Sequence, residues 1–258
     1  MLAIKNKHPR DSQITFDEGP HIYTVNGDSS YTSVTTWNHT HFEEFEADKI
    51  VQIMLKGKKM KDPEYKYFGM TAQQIKDLWS QNGKEASEAG TRMHQDIEYF
   101  YNGQSVENAS LEYQYFQQFV KDNPDLIPYR TEWMVWNEDL KISGSIDMVF
   151  ENKQGELLIY DWKRVKEITA EATYNDKFAK TRCISHLPDT NFWHYALQLN
   201  MYKNVLEQKY AKKVVGLFLV RLHPENVYKT YEQIEIPFLE KEMKDLIEVR
   251  KEQLEKII

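Results

Sequence analysis

The sequence predicts an α/β fold, a central mixed β-sheet with helices on both faces, and three observations carry that prediction. Residues 129–136, 140–150 and 157–162 are rich in β-branched and aromatic side chains, and the turn-forming runs Asn137-Glu138-Asp139 and Asn152-Lys153-Gln154-Gly155 separate them, so three consecutive antiparallel strands are expected. Helical spacing of apolar residues brackets that block, over 71–102 and 107–121 before it and 189–209 after it. An apolar run at 214–222 and a partner at 228–236 add two more strands.

Taken in order, residues 14–35 alternate Ile14, Phe16, Ile22 and Thr24 with polar neighbours and carry Gly19-Pro20 and Asn26-Gly27, the marks of short strands joined by turns. From Ser33 to about Gly57 the spacing becomes helical, with Phe42, Phe45, Ile50, Ile53 and Met54 available for one face. Lys56, Lys58, Lys59 and Lys61, with Pro63, follow as a basic loop; they read either as a solvated surface run or as a contact for a nucleic-acid backbone. The helix over 71–102 is expected to be interrupted near Asn82-Gly83, and a charged helix over 239–258 closes the chain. Residues 1–70 are thus expected to form a β-hairpin and helical appendage to a core of residues 71–258.

The 258 residues suffice for one main domain, and no apolar run approaches the roughly eighteen residues of a membrane span. Residues 1–13 lack an apolar stretch followed by a small-residue cleavage site, so an intracellular, soluble chain with no membrane partner is expected. A formal charge of -7 argues against a protein that coats nucleic acid non-specifically but leaves room for a local basic groove. The single cysteine, Cys183, excludes an internal disulfide and a multi-thiolate metal site. Chemistry must come from oxygen and nitrogen ligands.

The richest segment runs Gly144-Ser145-Ile146-Asp147-Met148-Val149-Phe150, a turn, then Glu156-Leu157-Leu158-Ile159-Tyr160-Asp161-Trp162-Lys163. Both aspartates sit among apolar neighbours, where an uncompensated carboxylate costs several kcal/mol as an order of magnitude. Side chains alternate along a strand, so Asp161 and Lys163 share a face from which Trp162 points away. If Asp147 faces the same side, two carboxylates and an ammonium surround one small volume, which suits a hard divalent ion holding a phosphate oxygen. The same residues also read as a buried ion pair of Lys163 with either aspartate. His94 and Glu98, four apart on a helix, place an imidazole and a carboxylate one turn from each other. Gln198 and Tyr202 share a face of a later helix, with His194 one turn earlier; core packing and donation to a phosphate or to ligand carboxylates are both open to them.

These segments resemble, in order, the motifs of the PD-(D/E)XK nuclease superfamily in its RecB-type branch. Gly90-Thr91-Arg92-Met93-His94 matches the G-x-x-x-H helix, the strand ending at Asp147 and the Asp161-Trp162-Lys163 strand match the catalytic hairpin, and Gln198-Leu199-Asn200-Met201-Tyr202 matches the Q-x-x-x-Y helix. The resemblance implies a restriction-endonuclease-like core and metal-dependent hydrolysis of phosphodiester bonds, of the two-metal type. It further implies that His94, Asp147, Asp161 and the Trp162 carbonyl bind one or two Mg²⁺ or Mn²⁺ ions, with Glu98 as an outer or second-ion group. Lys163 then orients or deprotonates the attacking water and stabilises charge on the phosphate, assisted by Gln198 and Tyr202. Glu132, on the first strand of the block, is a further candidate for the same network.

A locally positive stretch, Arg164, Lys166, Lys177, Lys180 and Arg182, is expected to track a DNA backbone. Tyr174, Phe178, Phe192 and Trp193 nearby are candidates either for core packing or for stacking on unpaired bases. The segments Tyr31-Thr32-Ser33-Val34-Thr35-Thr36 and Phe42-Glu43-Glu44-Phe45-Glu46-Ala47-Asp48-Lys49 are similar to the front of exonucleases of large DNA viruses and phages and, loosely, to mitochondrial genome-maintenance exonucleases. That likeness implies processing of single-stranded or duplex DNA ends in replication, repair or recombination, with a protein of those processes as a partner. A structure-selective endonuclease and an inactive nuclease-like DNA-binding domain are the alternatives.

Overall fold

Apolar alternation in the central block builds strands, and the structure, a computed structural model, describes them within residues 1–172 and 177–256. In chain order the elements are α1 (Leu2–Lys5), β1 (Ile14–Asp17), β2 (Ile22–Val25), β3 (Thr32–Ser33), α2 (Val34–His39), α3 (Ala47–Lys56), α4 (Ala72–Tyr101), α5 (Leu111–Asp122), β4 (Ile127–Asn137), β5 (Ile142–Glu151), β6 (Leu157–Lys163), α6 (Asn191–Lys209), β7 (Val214–Arg221), β8 (Glu232–Glu235) and α7 (Glu240–Glu255). The chain divides into two compact units, one of Met1–Glu43 with Met93–Ile258 and one of Glu44–Arg92.

In the larger unit β1 and β2 form an antiparallel hairpin, and the main sheet runs β4-β5-β6-β7-β8. All its neighbours along that path are antiparallel except β6 and β7, whose parallel pairing makes the sheet mixed. The connection between those two is long enough to carry α6, as a parallel crossover requires. One face packs Val149, Ile159 and Leu217 beneath α2, α6 and α7. The other packs Met148, Phe150, Tyr160 and Trp162 beneath α5 and the end of α4, whose Met93 and Ile97 join that cluster. Helices thus cover both faces, as the sequence predicts.

One edge of β5 is discontinuous. At its start β3 pairs parallel, Thr32 with Ile142 and Ser33 with Ser143, and at its end β6 pairs antiparallel from Met148 with Tyr160 onward. Among the described residues, 144–147 lie between the two ladders without a strand partner on that edge.

Three elements differ from the sequence reading. The helix over 71–102 is not interrupted at Asn82-Gly83: α4 runs 30 residues through it. A glycine there costs only about 1 kcal/mol relative to alanine, too little to break a helix supported on both sides. The single helix expected from Ser33 to Gly57 is two, because α2 ends at His39, where the Thr40 hydroxyl donates to the Trp37 carbonyl at 2.6 Å and competes with helix continuation. The strand expected over 228–236 is only β8, since the Asn226 side chain binds the backbone of Tyr228 and Thr230 and holds that segment as a loop.

Candidate active site

The gap in the β5 edge is where the acids meet. Asp147 is the last residue before the β5–β6 ladder, and one further step of that register sets Asp161 opposite it. On the other side the β4–β5 register sets Glu132 opposite Asp147, between the pairs Thr131–Met148 and Trp133–Ile146. Three carboxylates therefore occupy one row across three neighbouring strands. Like charges directly opposite are destabilising, so this row needs positive charge to be stable when ionised. Glu132 also has φ 42°, a left-handed conformation that is rare for a non-glycine residue, and strain of this kind concentrates at functional sites.

His94, on the last turns of α4, closes the row from the side, with Nδ1 3.3 Å from Asp147 Oδ2 and 4.0 Å from Glu132 Oε1. His94, Glu132 and Asp147 each bring a ligand atom within 4.8 Å of the others. Ser145 Oγ donates to Glu132 at 2.9 Å and holds that carboxylate in place. Asp147 accepts the Trp162 backbone N–H at 3.1 Å, substituting for a ladder carbonyl where the strands part. In a strand the N–H and C=O of a residue point to the same edge, so the Trp162 carbonyl faces the gap as well. The Trp162 indole lies in the opposite core against Phe116 and Phe119.

Asp161 is almost fully buried and its Oδ2 lies 2.6 Å from the Lys163 ammonium, a tight ion pair. Burial, followed by the nearby Asp147 charge, drives the Asp161 carboxyl upward against the pull of Lys163. Burial and then Asp147 likewise push Glu132 up to about 8. Burial alone raises Glu98. Lys163 moves the other way: burial works against its ammonium, but Asp161 and Asp147 outweigh it and the pKa is raised. Lys163 Nζ also sits 4.4 Å from the ring centroid of Tyr195, a cation–π contact.

The helix α6 covers the gap. Tyr202 is buried, hydrogen-bonded with Gln198, and close enough to Asp147 and Asp161 to feel their charge. Its hydroxyl explains Gly144: a Cβ there would lie 2.8 Å from Tyr202 Oη and 2.9 Å from Cε1, closer than such atoms approach. The β2 residue Tyr23 lies beside the same acids. Burial, Glu132 and Asp147 push its phenol up to about 12, against hydrogen bonding from the Ser145 backbone. Glu98, Asn102, Arg130 and Glu132 border a cavity of ≈ 170 Å³ next to the row.

The structure thus brings His94, Asp147, Asp161, Lys163, Gln198 and Tyr202 to one place, with Glu98 beyond Glu132. His194 is elsewhere: it bonds Asp189 at 2.8 Å and stacks on Phe42 with ring centroids 3.9 Å apart. Tyr195 and Tyr23 escape the sequence reading. Tyr195 could have been found as the residue one turn before Gln198 on the Gln198–Tyr202 face, whereas nothing local to residues 22–25 marks Tyr23. Within the cationic stretch, Arg164 Nε holds Glu112 at 2.6 Å in a largely buried pair, and Lys166 pairs with Glu225 at 2.7 Å. Lys177, Lys180 and Arg182 are exposed. Phe192 and Trp193 pack against the core, Phe178 is 43% exposed, and Tyr174 lies outside the described residues.

A divalent cation suits these residues. The row supplies imidazole nitrogen and carboxylate oxygen, from three acids that repel one another.

The model of the PD-(D/E)XK nuclease superfamily matches residues 58–258, and the chain belongs to that superfamily. Its mixed sheet with helices on both faces is the restriction-endonuclease-like core expected from the sequence, and its class of chemistry is that of nucleases, which are hydrolases. Among solved structures it is similar to a protein of Eubacterium rectale described as a candidate exonuclease, at 12% identity and a TM-score of 0.31 over 62% of this chain and 71% of that one. No curated protein matches the sequence. Among the described residues, no helix is long and apolar enough to cross a membrane.

Proposed function

We propose that this chain is a divalent-metal-dependent deoxyribonuclease that digests DNA from its ends, in replication, repair or recombination and beside a protein of those processes. The single observation that carries the reading is the row of Glu132, Asp147 and Asp161, flanked by His94 and Lys163. His94, Asp147, Asp161 and the Trp162 carbonyl would hold Mg²⁺ or Mn²⁺, and Glu132 would join them; imidazole makes Mn²⁺ especially acceptable. Glu98, near enough to Glu132 to feel its charge, would serve a second ion. When bound, the metal supplies positive charge that polarises the scissile phosphate and eases loss of a proton from water.

The chain's own groups do the rest. Lys163, paired with Asp161, donates to a phosphate oxygen and balances charge as water adds to phosphorus and the P–O bond breaks, the water's proton passing to solvent and the leaving oxygen taking a proton from it. Tyr195 and Asp161 fix its position. Gln198 orients the Tyr202 hydroxyl toward the ligand carboxylates. Lys177, Lys180 and Arg182, all exposed, bind the DNA backbone in this reading. The choice of DNA ends rests on the likeness of residues 31–36 and 42–49 to viral and phage exonucleases.

Labelled linear DNA and covalently closed circular DNA, incubated with Mg²⁺, Mn²⁺ or a chelator, test both parts. Digestion of the linear form alone, abolished by chelation and lowered at least about 100-fold in Lys163→Ala, is expected. Cutting of the circle removes the end-dependent reading, and wild-type rates in Lys163→Ala and Asp161→Ala reject the site.

A further inference from the structure

The Glu44–Arg92 unit holds a feature that the site does not use. Lys56, the last residue of α3, and Lys58, Lys59 and Lys61 after it fall within six residues, all exposed, and none forms an ion pair among the described residues. Residues Lys58–Lys61 form a 3₁₀ turn, in which side chains three apart eclipse, so Lys58 and Lys61 project from one side about 6 Å apart at ~2 Å rise per residue. Several exposed lysines elsewhere on this acidic chain do have a carboxylate partner: Lys166 has Glu225, Lys213 has Glu156 and Lys241 has Asp245. Consecutive turns then lead from Asp62 through Tyr65 to Met70, and Phe68 on them is 47% exposed.

A concentrated set of cations, followed closely along the chain by an exposed ring, in a chain of net charge -7, matches a polyanion that also carries flat apolar faces. We infer that the Lys56–Lys61 turn and Phe68 form a second nucleic-acid surface, in which the lysines bind consecutive phosphates of a single strand and Phe68 stacks on a base. The surface rests on the nuclease reading only for its purpose, to retain the substrate strand. Its binding chemistry stands apart from hydrolysis.

Anisotropy of a labelled single-stranded oligonucleotide and of the matching duplex, in chelator so that nothing is cut, measures it across a salt series. The probes are wild type, the quadruple variant K56A/K58A/K59A/K61A, and Phe68→Ala. Four phosphate contacts at about 0.7 each predict that the slope of log affinity against log salt falls by roughly 2–3 in the quadruple variant. Phe68→Ala is expected to weaken single-strand binding about 5–100-fold with an unchanged slope. An unchanged slope in the quadruple variant, with its unfolding temperature intact, overturns the inference; equal losses on duplex overturn the single-strand assignment. If wild type cuts no DNA but the slope still falls, the surface stands and the nuclease reading fails.

Discussion

Asp147 touches every part of the row: His94 on one side, Trp162 N–H on another, and Glu132 and Asp161 across the strands. Its charge raises the pKa of both neighbouring acids, so in the metal-free protein it is an electrostatic burden. Asp147→Asn should therefore leave the metal-free protein as stable as wild type or more so by up to about 1 kcal/mol. It should also lose the stabilisation of roughly 2.7 kcal/mol that wild type gains at a hundredfold excess of Mn²⁺ over its dissociation constant. Thermal unfolding with and without Mn²⁺ measures both, and an equal metal response in the variant would remove Asp147 from the ligand set. Tyr195 makes a separate prediction. A cation–π contact needs the ring and not the hydroxyl, so Tyr195→Phe should keep near-wild-type turnover, while Tyr195→Leu lowers kcat about 3–30-fold with KM little changed. Equal losses in both variants would assign the hydroxyl, not the ring.

At the scale of elements, Asp11 is one of the groups that fasten the N-terminal segment to β4, alongside Asn6 and Arg10. Asp11 accepts from Arg130 Nη1 at 2.8 Å, from the Trp133 indole at 3.0 Å and from the His8 backbone at 2.8 Å. Burial opposes its ionisation, but these donors prevail and its pKa is lowered from 3.8. A depressed carboxyl contributes stability that is complete above the unfolded value, about 4, and is lost as pH falls through the folded one. Asp11→Ala should lower stability at pH 7 by on the order of 2–3 kcal/mol and shrink the difference toward zero at pH 2–3. Urea unfolding at both values checks the sign; a gap that widens in acid contradicts the fastening. Because Tyr23 follows on the same segment, the variant should also reduce activity without altering any residue of the row.

For the whole molecule, the sheet and its covering helices were legible because period-2 and period-3.6 apolar patterns are local properties of the chain. His94, Asp147, Asp161 and Lys163 were legible as a group because each lies in a recognisable short motif. Glu132 was visible only as an acid on a strand: its side of the sheet depends on the register with β5 and on a backbone twist at φ 42° that no local pattern announces. Tyr23 approaches the acids through the path of the whole N-terminal segment, which is tertiary information. The unbroken α4 shows the converse, since a lone glycine signals a break that its neighbours override.

The missing ladder along residues 144–147 has a kinetic meaning too. An amide that faces that opening lacks a carbonyl across the edge, although β5 lies between β4 and β6 in the sheet. Proton exchange with solvent deuterium should therefore be faster there than at Val149 or Phe150 on the same strand, where the ladder is intact. Addition of Mn²⁺ should slow it, most clearly at the Trp162 amide bound by Asp147. A soft spot at the middle of an otherwise rigid sheet, hardened by a metal ion, would locate the reaction centre without any substrate.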